Sequence, residues 1–61
     1  MLTKSKLRRY AVMFADRADK MDDAEDHDEL HAASDVCIVL SVSPQHMTPY
    51  IERWLEALTG R

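Results

Sequence analysis

Two histidines, His27 and His31, come closest in type and spacing to a metal-binding motif in this sequence. They stand four residues apart, so on a helix both imidazoles would face the same side. The zinc-protease motif requires a glutamate directly after the first histidine, but Asp28 holds that place and Glu29 comes one position late. A zinc site also needs further ligands, for which His46 and Asp23 are candidates only by elimination. We therefore expect two solvated histidines and no metal site, with a pH-sensitive surface patch as an alternative.

No other group of residues predicts catalysis. The acids between Asp16 and Glu29 lack the alternating spacing and the central glycine of a calcium-binding EF-hand loop. The sequence contains neither a glycine-rich phosphate loop nor the motif of a hydrolase nucleophile. Cys37 is the only cysteine and lies among apolar residues, where a thiolate is disfavoured. We expect no enzymatic activity and no cofactor, and a lone thiol favours a cytoplasmic location.

Cations at the start of the chain suggest a different kind of contact. The four residues concerned are Lys4, Lys6, Arg8 and Arg9. Their charge would attract phosphates or an acidic partner in a salt-dependent manner. The acids between Asp16 and Glu29 would repel the same phosphates, and no cluster of base-reading side chains is evident. Nucleic-acid binding is therefore the alternative function.

Length and composition restrict the fold. The chain has 61 residues, a formal net charge of -3, one glycine and two prolines. A chain this short buries only about 60% of the surface that its unfolded form exposes, so it needs good helix packing or a partner subunit. The longest apolar stretch, residues 36–42, is far shorter than the ~20 residues that span a bilayer. Because hairpin turn residues are absent before Pro44, we expect one soluble all-α domain.

A first helix is predicted over about residues 4–21. Its apolar residues share an arc of about 100°: Leu7, Tyr10, Ala11, Phe14, Ala18 and Met21. Thr3 is a suitable N-cap. An unbroken continuation would carry carboxylates onto the apolar stripe, so we expect a turn near residues 22–26, with a kinked long helix as the alternative. Either Asp22 or Asp26 could begin the second helix.

The second helix is predicted over about residues 26–42 and ends at Ser43-Pro44. Its main apolar stripe consists of Leu30, Ala33, Val36, Cys37 and Leu40. Ile38 and Val42 lie well away from that stripe, so residues 36–42 are apolar almost all round. This pattern predicts a helix enclosed on several sides, with a buried strand as the alternative.

The third helix is predicted over about residues 49–59. Thr48-Pro49 is a typical helix start, and Gly60 is suited to the C-terminal cap. The apolar arc spans about 160° and contains Tyr50, Ile51, Trp54, Leu55, Ala57 and Leu58. So broad an arc could serve both the core and a second surface. The fold prediction is a small three-helix bundle, or a helical hairpin plus a C-terminal helix.

The charges of the first helix predict self-association. Its cations lie at the N-terminal end and its acids near the C-terminal end, against the helix dipole. An antiparallel copy would bring each basic end against the other's acidic end. The alternative is that packing simply overrides this small surface term. Because the predicted apolar surface also exceeds what three short helices can bury among themselves, we expect a homodimer or a stable complex with a partner.

The third helix predicts the surface for a protein partner. Binding hot spots favour Trp, Tyr and Arg, and the candidates here are Met47, Tyr50, Ile51, Arg53 and Trp54, together with Ile38. Closing the core is the alternative role for the apolar members of this set. The predicted function is a small non-enzymatic protein-protein interaction module that acts as a regulator, inhibitor or adaptor of a partner protein.

Overall fold

The computed structural model describes residues 2–60, which form three α-helices and one short 3-10 turn. The helices are α1 (Lys4–Asp19), α2 (Ala24–Val42) and α3 (Pro49–Thr59), and the 3-10 turn is Pro44–His46. No strand occurs in the described part of the chain, so the strand alternative for residues 36–42 is wrong. The predicted small all-α bundle is confirmed. No helix within residues 2–60 is long and apolar enough to cross a membrane.

Helix α1 begins where the sequence predicts but ends two residues early. The Thr3 hydroxyl accepts a hydrogen bond from the Lys6 amide and caps the first turn. At the other end, the amides of Lys20 and Met21 bond to carbonyl oxygens three residues back, which tightens and closes the helix. Met21, predicted on the buried stripe, is therefore an exposed residue of the following turn.

Helix α2 begins at a residue that the sequence patterns did not indicate. The Asp23 carboxylate accepts hydrogen bonds from the amides of Glu25 and Asp26 at 2.9 and 3.1 Å, and this bonding makes Asp23 the N-cap. Neither Asp22 nor Asp26 caps the helix, and the predicted start at residue 26 is two residues late. The chain reverses over residues 20–23, so α1 and α2 form a helical hairpin and not one kinked helix.

Helix α3 has the predicted bounds and packs against the hairpin formed by α1 and α2. Thr48 caps it by accepting from the Ile51 amide at 3.1 Å. One of its side chains, Glu52, accepts a hydrogen bond from the Leu2 amide at 3.3 Å. Near its other end, the Arg17 guanidinium donates to the carbonyl oxygens of Leu58 and Thr59. These contacts make α3 roughly parallel to α1, and the bundle runs up, down and up.

The core lies between the three helices and combines small and large side chains. Its buried members are Leu7, Ala11, Phe14, Ala18, Leu30, Ala33, Cys37, Leu40, Leu55 and Leu58. The small members allow α1 and α2 to approach closely, and the Ser34 hydroxyl donates to the Ala11 carbonyl oxygen at 2.7 Å. The prediction that residues 36–42 are enclosed on several sides is wrong for the single chain. Ile38, Val39 and Val42 are exposed, because α1 and α3 cover only part of α2.

Candidate functional site

A surface groove lies where α2, the 3-10 turn and the start of α3 meet, and we call it the corner groove. It has a volume of about 300 Å³ and is lined by Asp35, Val36, Val39, Leu40, His46 and Ile51. Val39 is 57% exposed although its side chain is wholly apolar. Tyr50, which precedes Ile51 in the first turn of α3, is 74% exposed. This corner therefore presents apolar surface to water that the single chain does not cover.

The residues predicted to contact a partner do not share one environment. Tyr50 and Arg53 are exposed. Met47, Ile51 and Trp54 are half-buried and pack against the core. Truncating any of these three would disturb the core as well as the surface, so Tyr50 and Arg53 are the residues whose surface role can be tested cleanly.

Ile38, the sixth predicted contact, lies in a second groove between α1 and α2, which we call the hairpin groove. Its lining residues are Arg8, Ala11, Val12, Ala15, Ile38 and Ser41. The Ser41 hydroxyl donates to the Ile38 carbonyl oxygen at 2.7 Å, so its hydrogen-bonding capacity is used within α2. Apart from Arg8, the side chains that line this groove are therefore apolar or already hydrogen-bonded. Ile38 thus belongs to a different surface from the predicted contacts near α3.

Three exposed apolar residues, Val12, Val39 and Val42, are not indicated as surface sites by the sequence pattern. Val39 and Val42 look like core residues in a segment that is apolar almost all round. Val12 could have been found, because on a helical wheel it falls on the charged side of α1, opposite the stripe that contains Phe14. An exposed apolar residue indicates a contact surface only when other exposed apolar residues lie beside it in space.

The basic residues predicted to contact phosphates or an acidic partner are Lys4, Lys6, Arg8 and Arg9, and all four are exposed on the first two turns of α1. They do not form one stripe. At about 100° per residue, Lys6 lies about 160° around the helix from Arg8. The four cations therefore cannot all face one phosphate backbone while α1 remains straight.

The two histidines meet on the surface of α2 but do not assemble a larger ligand set. Their ring centroids are 4.6 Å apart in an edge-to-face arrangement. His27 Nδ1 lies 3.3 Å from Asp28 Oδ1, and His31 Nε2 lies 3.9 Å from Asp19 Oδ1. Within residues 2–60, no three histidine, cysteine, aspartate or glutamate side chains are grouped so that they could hold one metal ion. A structural zinc site normally uses four such ligands.

Cys37 lies in the core with no exposed surface. Burial raises the pKa of its thiol from 9.0 to about 11, because desolvation disfavours the thiolate. At neutral pH the side chain is thus a protonated thiol without access to a substrate. Its place in the structure is that of a small hydrophobic residue.

The raised pKa of Cys37 predicts that the protein loses stability at high pH. The native state holds the thiol proton more tightly than the unfolded chain, so the stabilisation is fully present below about pH 9 and is lost as the pH rises through about 11. A pKa difference of this size corresponds to about 2–3 kcal/mol of unfolding free energy. Urea denaturation at a series of pH values from 8 to 11.5 measures it.

The matched control for this titration is Cys37→Ala, which lacks the thiol but keeps every other titrating group. We expect its unfolding free energy to fall less steeply with pH than that of the wild type over the same range. Equal slopes for the two proteins would contradict the placement of Cys37 in the core.

Comparisons with known proteins give no relative for this chain. No protein-family model matches it, and no curated protein or solved structure matches it.

Proposed function

We propose that this chain is a non-enzymatic protein-protein interaction module that acts as a regulator, inhibitor or adaptor of a partner protein, and that the corner groove receives the partner. The observation that carries the proposal is the exposure of Val39 in an apolar groove and of Tyr50, which precedes the groove residue Ile51 in α3. A cytoplasmic location is part of the proposal and rests on the single unpaired cysteine.

The chemistry of the corner groove suits an apolar anchor from another protein. Val36, Val39 and Ile51 supply apolar walls, and burying a valine-sized side chain there would contribute about 1.5–3 kcal/mol. Tyr50 adds a rigid aromatic ring of the kind that is enriched among binding hot spots. The expected occupant is therefore a protein segment with an exposed aliphatic or aromatic side chain.

Charged residues border this apolar surface. Asp35 is part of the groove lining, and Arg53 follows Tyr50 by three residues, which makes the two neighbours on the surface of α3. An apolar centre with a charged border is the usual organisation of a protein-protein contact. The border would select partners by charge, while the apolar walls supply most of the affinity.

The double variant Tyr50→Ala/Val39→Ser tests the corner groove. Both side chains are exposed, so the melting temperature should change by no more than a few degrees, whereas capture of the partner from an extract of the source organism should fall at least about tenfold. Quantitative mass spectrometry of the captured proteins measures the change. We substitute Val39 and not Met47, because Met47 is half-buried and its truncation would lower stability as well as binding.

The matched control is Glu56→Ala, an exposed substitution on the same helix α3. It should capture the same proteins as the wild type. A photo-crosslinking amino acid in place of Tyr50 should give a covalent adduct with the captured partner, and one in place of Glu56 should not. Equal capture by Tyr50→Ala/Val39→Ser and by the wild type would contradict the proposal.

Nucleic-acid binding through the basic start of α1 remains the alternative proposal. It predicts that binding to a DNA or RNA duplex weakens steeply with salt and weakens further in Lys4→Glu/Arg8→Glu, because these two cations lie on the same side of α1. The Tyr50→Ala/Val39→Ser variant would keep such binding. The two double variants therefore separate the two functions.

A further inference from the structure

One face of α1 carries an exposed valine between charges of opposite sign. Val12 is 72% exposed. Arg8 lies four residues before it and Asp16 four residues after it, which places both on the Val12 side of the helix. Two turns away in either direction, Ser5 and Asp19 complete the same face. We call these five residues the Val12 face.

The charges of the Val12 face are unfavourable for an isolated helix. Asp16 and Asp19 lie in the last turn of α1, where the negative end of the helix dipole disfavours carboxylates. Arg8 makes no ion pair or side-chain hydrogen bond with any other residue of the described chain, and Asp16 pairs only with Lys20 at an exposed surface. The charges of Arg8 and Asp16 are therefore mainly solvated by water in the single chain.

We infer that the Val12 face binds a second copy of this chain, with the two α1 helices antiparallel and the twofold axis at Val12. In this register the two Val12 side chains meet. Arg8 of each copy then lies opposite Asp16 of the other, because the two residues are equally spaced from the axis. Each contact occurs twice, as a twofold interface requires. Two Arg–Asp pairs thus replace two unpaired arginines.

The surroundings of the Val12 face permit close approach. Ala15 and Ser41 border Val12 in the hairpin groove, and Ile38, itself exposed, stands on the other wall. The Ser41 hydroxyl already donates a hydrogen bond to a carbonyl oxygen of its own helix. Covering it with a second copy would therefore leave no hydrogen-bond donor unsatisfied. A copy seated here would cover apolar surface of both α1 and α2. This inference is independent of the corner groove, since the two surfaces share no residue.

Charge reversal tests the register. Within one chain, Arg8 and Asp16 are about 12 Å apart along the helix axis, too far to pair with each other. Arg8→Asp alone and Asp16→Arg alone should each weaken the dimer at least about tenfold, because each places like charges together twice. An equimolar mixture of the two variants should recover the dimer, because every facing pair is then opposite in charge. Sedimentation equilibrium at about 100 μM and low salt measures the mass against the 7.0 kDa of one chain.

The matched control is Lys6→Asp, which changes the net charge by the same amount as Arg8→Asp but lies far around the helix from Val12. It should leave the dimer intact. Circular dichroism of every variant should show wild-type helix content, since all three positions are exposed. A wild-type protein that sediments as a monomer, a dimer insensitive to Arg8→Asp, or a mixture that stays monomeric would each overturn the inference.

Discussion

Replacing Leu40 by aspartate is expected to unfold the protein. Leu40 is 2% exposed and lies among the buried residues of all three helices. An unpaired carboxylate at such a site costs several kcal/mol or forces the structure open. A domain of this length has a total stability of roughly 3–9 kcal/mol, so one such substitution is enough. Far-UV circular dichroism and a thermal melt of Leu40→Asp would show the loss of helix and of a cooperative transition.

The control is the same substitution two residues earlier in the same helix. Ile38 is 53% exposed, so Ile38→Asp can keep its carboxylate in water and should remain folded, with a melting temperature within several degrees of the wild type. Its charge would fall in the hairpin groove beside Val12 and weaken self-association there. Equal unfolding by the two variants, or a folded Leu40→Asp protein, would contradict the described orientation of α2.

The elements that the sequence predicts best are those fixed by local chemistry. Thr3 and Thr48-Pro49 begin α1 and α3 as predicted, and Ser43-Pro44 ends α2, because capping hydrogen bonds and the proline ring act within a few residues. The buried stripes of α1 and α2 also follow from helical spacing. The prediction of an all-α bundle depends only on such local features.

Competition between adjacent local signals explains the error at the turn. Three aspartates, Asp22, Asp23 and Asp26, could each cap α2, and the patterns favoured the two with glutamate three residues later. In the structure Asp23 accepts two backbone amides, with Asp26 in the third helical position. With the cap at Asp23, α2 starts two residues earlier than predicted, and Met21 lies in the turn before it, outside the core.

The candidate sites depend on tertiary packing, which periodicity does not contain. Residues 36–42 are apolar almost all round, and which of them are covered is decided by where α1 and α3 lie. Val39 and Ile51 line one groove only because the 3-10 turn returns the chain towards α2. The sequence therefore grouped Ile38 with Tyr50 and Ile51, although Ile38 lies in the hairpin groove and Ile51 lines the corner groove.

Phe14→Ala is expected to be the most damaging truncation of a side chain in this protein. Phe14 is fully buried and is the largest of the fully buried side chains. Its ring also lies 5.9 Å from that of Tyr10 in a tilted arrangement, a contact that the truncation removes. Removing a buried phenylalanine typically costs about 3–5 kcal/mol, against the roughly 3–9 kcal/mol that stabilise a domain of this length. We therefore expect Phe14→Ala to lose at least about a third of its unfolding free energy and to melt at a much lower temperature.

Two further variants make this measurement decisive. Phe14→Leu keeps most of the buried volume and should remain folded with a smaller loss, so it gives a measurable value if Phe14→Ala does not fold. Val12→Ala removes an exposed apolar side chain from the same helix and should change the stability of the monomer by less than about 0.5 kcal/mol. Comparing urea denaturation at about 5 and about 50 μM shows whether self-association contributes to the measured free energy. If Val12→Ala destabilised the monomer as much as Phe14→Leu does, the buried and exposed sides of α1 would have to be reversed, and the Val12 face could not be a surface for a second copy.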